Sequence, residues 1–339
     1  MHNSKLIEIL RKFDKKEING FYDYVCSPYF NKEKVIMNLT EHLKKSYPDF
    51  KEEFIQKEKV YKKLYPGKKY NDSVMRNVLS KTMRLAEDFL TLKEFEYNTD
   101  YYRTILSLRG AGEKKLEFLF SKADERAKKY IDSLPYRDGM YYFLKFMYED
   151  EVRRFAMRKE SRMYLKEDNI QKVADNLISF FVTELLRTYA VMLNTHKHNF
   201  ERVLNFDFFN GMLKVFEDNI EQFSENRYAN LYYNSIKLFL TEEEEHFDRI
   251  RELTRDNYET LPIIDRKNAY VVQINYCAER VNKGDLDFLS KKLEIYKEVL
   301  DRKAHYEGLP YISHVLYTGI AFAAINRGEM DWAMKFSNT

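Results

Sequence analysis

The chain is poor in the residues that make turns. Ten Gly and six Pro among 339 residues come to about 5%, against roughly 12% in average proteins. Sheets need turns, and turns draw on Gly, Pro and Asn-Gly pairs. The deficit argues against a β-rich fold and leaves no Gly-rich phosphate loop. Cysteine is scarcer still. Cys26 and Cys277 stand far apart, which offers no disulfide framework and fits reduced, buried thiols in a cytoplasmic protein. Long apolar runs are missing too. The most apolar, residues 177–186, spans ten positions and includes Thr183 and Glu184, where a membrane span needs about 20. No secretory pattern follows Met1. These features imply a cytoplasmic protein without a membrane segment. Net charge is +3, too near balance to name a partner.

Motifs that carry chemistry are also lacking. The chain has no nucleophile elbow, P-loop, dinucleotide fingerprint, cysteine pair or zinc-binding helix motif. His196 and His198 form His-x-His, but on a helix the two rings point about 200° apart and cannot share a metal. Glu243 and His246 have the i, i+3 spacing of a di-iron ligand pair, in a single copy where two are needed. An acidic first turn of a helix accounts for the run 242–245. Cys277 sits in an apolar stripe and reads as core. No catalytic, cofactor-binding or metal-binding residue is assigned, and no cofactor is implied.

What is present is helical periodicity. Leu289, Leu293, Tyr296 and Leu300 step by four, three and four, as do Tyr270, Ile274, Cys277 and Val281. Ala229, Tyr232, Tyr233, Ile236 and Leu240 make a third stripe. These patterns predict amphipathic helices. Residues 177–193 are apolar almost all round, which predicts a helix packed on two sides. The prolines fall where helices start or stop. Leu-Pro at 134–135, 261–262 and 309–310 precedes a helical pattern each time, with Pro expected in a first turn.

An internal repeat is the strongest signal. Val281-Asn282-Lys283-Gly284-Asp285-Leu286-Asp287-Phe288 returns 44 positions later as Ile325-Asn326-Arg327-Gly328-Glu329-Met330-Asp331-Trp332. Each copy reads as a helix end closed by Gly, then the acidic start of the next helix. Helical hairpins at a fixed period predict stacking. A weaker third copy lies at residues 227–256, with Thr241-Glu242 in place of the Gly turn. In the second copy the closing helix runs barely two turns before Thr339, which reads as a chain that continues.

The hairpin with Ala321, Gly328 and Ala333 resembles a tetratricopeptide repeat, in which small residues let two helices pack closely. Cys26-Ser27-Pro28-Tyr29-Phe30-Asn31 and Leu64-Tyr65-Pro66-Gly67-Lys68-Lys69-Tyr70-Asn71-Asp72 resemble an uncharacterised family of long bacterial proteins with tetratricopeptide-like helices. That resemblance implies the fold and carries no activity.

Charge is concentrated in one place. Residues 57–84 hold nine basic and two acidic side chains, a net +7 that leaves −4 for the rest of the chain. A short helix over 58–65, a Pro-Gly turn and a long helix capped by Asn71, Asp72 or Ser73 are expected there. Val78, Leu79, Thr82, Met83, Ala86, Phe89 and Leu90 share the inner face. Arg76, Asn77, Ser80, Lys81 and Arg84 share the outer one. The pair resembles the helix-turn-helix of bacterial activators that join a winged-helix domain to a tetratricopeptide-like domain. No Gly or Pro between Gly67 and Gly110 supplies the turn of a wing. Two readings stand: an ordinary solvated face, or a nucleic-acid or anion contact through Lys68, Lys69, Arg76, Lys81 and Arg84.

The chain also carries 27 Tyr, 25 Phe and one Trp. Packing knobs account for most of them. Tyr141-Tyr142 and Tyr232-Tyr233 each put one ring inward and one near the surface, and are candidates for a peptide groove. The expected fold is all-α. An N-terminal helical domain covers residues 1–95, a central helical bundle or solenoid 96–225, and tetratricopeptide-like hairpins in a right-handed array 226–339. The function expected first is a non-enzymatic helical-repeat scaffold for an unknown protein or peptide. The alternative is a nucleic-acid-associated regulator acting through residues 57–90.

Overall fold

A computed structural model describes residues 1–2, 4–158, 167–198, 204–303 and 312–337. Among these, every regular element is helical and there is no strand. The chain forms two compact units, Met1–Tyr102 and Arg103–Thr339.

Unit 1 contains α1 (Lys5–Lys12), α2 (Lys15–Cys26), α3 (Lys34–Lys45), α4 (Lys57–Leu64) and α5 (Asp72–Tyr97). Local chemistry sets the helix starts. The Ser4 hydroxyl accepts from the Ile7 amide. Asp14 and Glu17 form a reciprocal capping box at α2. Of the three cap candidates for α5, Asn71 is the one used, its Oδ1 accepting from Val74 N at 3.1 Å. Phe13, Phe21 and Phe89 meet at centroid distances of 5.7–5.9 Å and tie α1, α2 and α5 into one core. Burying each ring is worth about 2–3 kcal/mol. On α5, Val78, Leu79, Thr82, Ala86 and Phe89 are buried, Met83 is half-buried and Leu90 is exposed. Arg76, Asn77, Ser80, Lys81 and Arg84 face outward. The helix runs past residue 95 to Tyr97, and Phe95 stacks on Tyr102 at 5.9 Å.

The chain continues through α6 (Thr99–Glu113), α7 (Glu117–Ser133), α8 (Gly139–Arg158), α9 (Glu167–His198) and α10 (Asp207–Asp218). It ends with α11 (Arg227–Thr241), α12 (Glu244–Asp256), α13 (Ile263–Asn282), α14 (Asp287–Asp301), α15 (His314–Asn326) and α16 (Met330–Ser337). The helix α9 packs on both α8 and α11, as its apolar circumference predicts. Val182, Leu186, Tyr189 and Ala190 are buried there, while Leu177, Ile178 and Phe181 remain exposed. By length and mean hydropathy, residues 170–197 reach the threshold of a membrane span, beyond the ten-residue run apparent from sequence. Core helices of soluble proteins pass the same test, and one third of that window is buried.

The two copies of the repeated octapeptide fold alike. Asp285 N bonds to Arg280 O and Gly284 N to Val281 O. Glu329 N bonds to Ala324 O and Gly328 N to Ile325 O. This is the same Schellman closure twice. Gly284 and Gly328 supply its left-handed residue, at φ +96° and +83°. The third hairpin, α11–α12, closes through Glu242 instead, at φ +59°. A side chain in that region costs roughly 1–2 kcal/mol; the Glu242 carboxylate pairs at the surface with Lys283 and Lys197.

Three local expectations need correction. Pro135 stands four residues ahead of α8 rather than in its first turn, because Asp138 provides the cap and accepts from Tyr141 N at 2.9 Å. Pro262 directly precedes α13, and Pro310 lies outside the described residues. On α15 the small residues packed inward are Ala323 and Ala324 beside Ala333. Ala321 lies one position off that face and is half-buried. Leu240, the last of its stripe, is exposed because α11 ends one residue later.

Candidate functional sites

In unit 2, α9, α11 and α13 enclose a shallow cleft of about 80 Å³. Its floor is Leu231, Tyr232 and Ser235 on α11. Ala190, Val191 and Asn194 of α9 form one wall, and Asn268, Ala269, Val271 and Val272 of α13 the other. Side chains join the two walls. Asn275 Nδ2 donates to Asn194 Oδ1 at 3.5 Å, and Lys197 pairs with Glu279 at 2.5 Å. A cleft of this size admits one apolar side chain, well below the roughly 300–1,000 Å³ of a small-molecule site. Asn194 and Asn268 also line it, Asn194 Oδ1 accepting from Asn275 and Asn268 contacting Tyr232, and their remaining amide groups are of the kind an extended backbone pairs with.

Tyr232 connects the cleft to a buried polar cluster. Its hydroxyl donates to Asp265 and also contacts Asn268. Burial pushes the Asp265 carboxyl above its ordinary value, while the Tyr232 hydrogen bond and nearby Arg187 pull the other way. Arg187 is held by Glu184 at 2.7 Å. Burial likewise raises Tyr232 far above the usual phenol range. Asn226 anchors the start of α11. It donates to Thr183 Oγ1 at 2.9 Å and accepts from Ala229 N at 3.0 Å.

The other candidate tyrosines are placed apart from the cleft lining. The Tyr233 hydroxyl donates to Glu217 at 3.3 Å while its ring packs on Phe216. Tyr141 is buried under the Arg137 guanidinium, 4.2 Å from its centroid, and Tyr142 is half-buried against it. Only Tyr232 of the four lines the cleft. The amides opposite it gave no local signal in sequence.

The basic residues of unit 1 all lie on the surface, but several are neutralised. Asp72 takes Arg76 at 3.0 Å and Lys57 at 3.2 Å, and accepts from the Tyr70 hydroxyl. These donors hold its carboxyl below the ordinary range. Burial and Asp72 push the Tyr70 hydroxyl up to about 12. Lys81 reaches Glu33 at 2.6 Å, across 48 residues of sequence. Lys68 lies over the Tyr65 ring. Lys69 and Arg84 are exposed and make no ion pair among the described residues.

Among the histidine patterns, the ligand atoms of Glu243, Glu245 and His246 lie within 4.8 Å of one another. The His196 ring packs against Phe206 at 5.4 Å, and the His198 side chain lies outside the described residues. His246 is buried, with Nδ1 bonded to Asn234 Oδ1 at 2.9 Å and Nε2 at 3.6 Å from Glu243 and 3.8 Å from Glu245. Those carboxylates sit at the start of α12, where the helix dipole itself favours them. Cys277 is fully buried, and burial pushes its thiol up to about 12.

No family model matches the chain, and no curated protein or solved structure matches it. The class defined among the described residues is an all-α protein.

Proposed function

We propose that the protein is a non-enzymatic helical-repeat scaffold, tetratricopeptide-like in unit 2, that binds a peptide segment of a protein partner. One observation carries the proposal. Three helices frame a mainly apolar cleft whose lining includes the amides of Asn194 and Asn268. That is what an extended peptide needs: a hole for one side chain and partners for its backbone. The matched closures at Gly284 and Gly328 support stacked hairpins, which hold such a surface without a catalytic constellation. The partner is named only by this chemistry: an extended segment presenting a small aliphatic side chain.

The test is amide NMR of the full chain titrated with peptides enriched from a random display library. Shifts grouped on Ser235, Asn268 and Val271 are expected. Shifts confined to unit 1, or to the exposed face of α9, would overturn the proposal.

A further inference from the structure

The loop between α2 and α3 holds two aromatic rings out of the core. Tyr29 is 88% exposed and Phe30 42%. Such rings at a loop tip are ordinarily mobile, yet this tip is fastened from beneath. Asn31 is buried. Its Nδ2 donates to Val25 O at 3.0 Å and to Glu33 O at 3.3 Å, and its Oδ1 accepts from Glu33 N at 3.0 Å. Ser27 O accepts from the amides of both Phe30 and Asn31. Phe30 stacks on Tyr24 at 4.1 Å, with Tyr29 edge-on at 5.0 Å. A buried amide is thus spent on presenting aromatic surface to water, where ordinary folding would bury it.

The surroundings of the tip are basic. Lys32 and Lys34 flank it and are exposed. Lys81 of α5 meets the loop at Glu33, and Arg84 stands one turn further along the same helix. Tyr65 lies beside Glu33 and Lys81, and carries Lys68 over its ring. The acids near this surface include Glu33, which is paired with Lys81, Asp88 beside Tyr24, and Glu17 and Glu96, which line a shallow pocket together with Tyr24. Lys32, Lys68 and Arg84 have no acidic partner among the described residues.

Fixed aromatic faces beside three unpaired cations, Lys32, Lys68 and Arg84, and the Glu33-paired Lys81 suit a polyanion that has exposed flat faces of its own. Single-stranded nucleic acid is that ligand: its bases stack on the rings and its phosphates pair with the cations. In a duplex the bases are already stacked, which leaves the rings nothing to contact. We propose that unit 1 carries a single-stranded nucleic-acid site, with Tyr29 and Phe30 as the stacking platform and Lys32, Lys68, Lys81 and Arg84 along the backbone track. This goes beyond the scaffold proposal and does not depend on it.

The experiment is fluorescence anisotropy of labelled dT20 and rU20 with the full-length chain between 50 and 300 mM NaCl. Binding at low salt that weakens steeply with salt is expected. Tyr29→Ala removes an exposed ring without touching the core, and should weaken binding about five-fold or more. Lys68→Glu with Arg84→Glu should weaken it further and flatten the salt dependence. Thermal melts of each variant should match the wild type. The proposal is overturned if neither strand binds at 50 mM NaCl, if Tyr29→Ala binds unchanged, or if a 20-base-pair duplex binds as tightly. Tyr29-dependent binding to phosphatidylglycerol vesicles in place of dT20 would assign the surface to a membrane and also overturn it.

Discussion

The Tyr232 hydroxyl donates to the Asp265 carboxylate, joining α11 to α13 through two buried side chains. Burial keeps the Asp265 carboxyl above its ordinary value. An acid raised in the folded state favours folding when protonated. Its contribution is full below the unfolded value and is lost as pH rises through the folded one. Asp265→Asn keeps an acceptor for Tyr232 and removes the titration. The stability of the wild type relative to this variant should therefore fall between about pH 4 and pH 7. Urea melts at the two pH values check the sign. Asp265→Ala deprives the buried hydroxyl of its acceptor and should cost about 1–3 kcal/mol.

Gly284 and Gly328 hold equivalent left-handed positions, and neither has a neighbour near the site of an added Cβ. The cost of Ala there is therefore conformational, not steric. Gly284→Ala and Gly328→Ala should each lower stability by about 1 kcal/mol. Equal losses in denaturant melts are the signature of one motif used twice. A loss confined to one of them would separate the two turns.

Asn226 serves two partners at once. Asn226→Ala removes the cap on α11 and the bond to Thr183 of α9, and should cost about 1–2 kcal/mol. Asn226→Asp keeps the cap and loses the donor, so it should fall between the two. Chemical denaturation of the three proteins gives the order.

The thiols should separate by access. Cys277 is fully buried with its thiol pushed up to about 12, whereas Cys26 is half-buried. Thiolate is the reactive form. A disulfide reagent at neutral pH should label one cysteine in the folded protein and two in guanidinium. Fast labelling of both in the folded state would contradict this core.

Helices were legible because their information is local. Asn71 stands beside the stretch it caps, and the inner face of α5 is spaced at the helical period. The Gly284 and Gly328 turns were legible for the same reason. What sequence concealed was pairing at a distance. The excess charge of residues 57–84 looked free, yet Lys81 is met by Glu33, 48 residues away, and Arg76 by Asp72 within its own helix. Tyr232 was singled out as half of a pair with one ring inward and one near the surface. Its place in the cleft depends on Asn268 and Val191 arriving from two other helices, and no local pattern encodes that.

The central claim is that the α9–α11–α13 cleft receives a peptide side chain. Val191 stands on its exposed wall, so Val191→Trp fills the cleft without entering the core. The decisive measurement is isothermal titration of a library-selected peptide against wild type and Val191→Trp. The prediction is a loss of about ten-fold or more, roughly 1.4 kcal/mol, with the melting temperature unchanged. Equal affinity for the two proteins would contradict it.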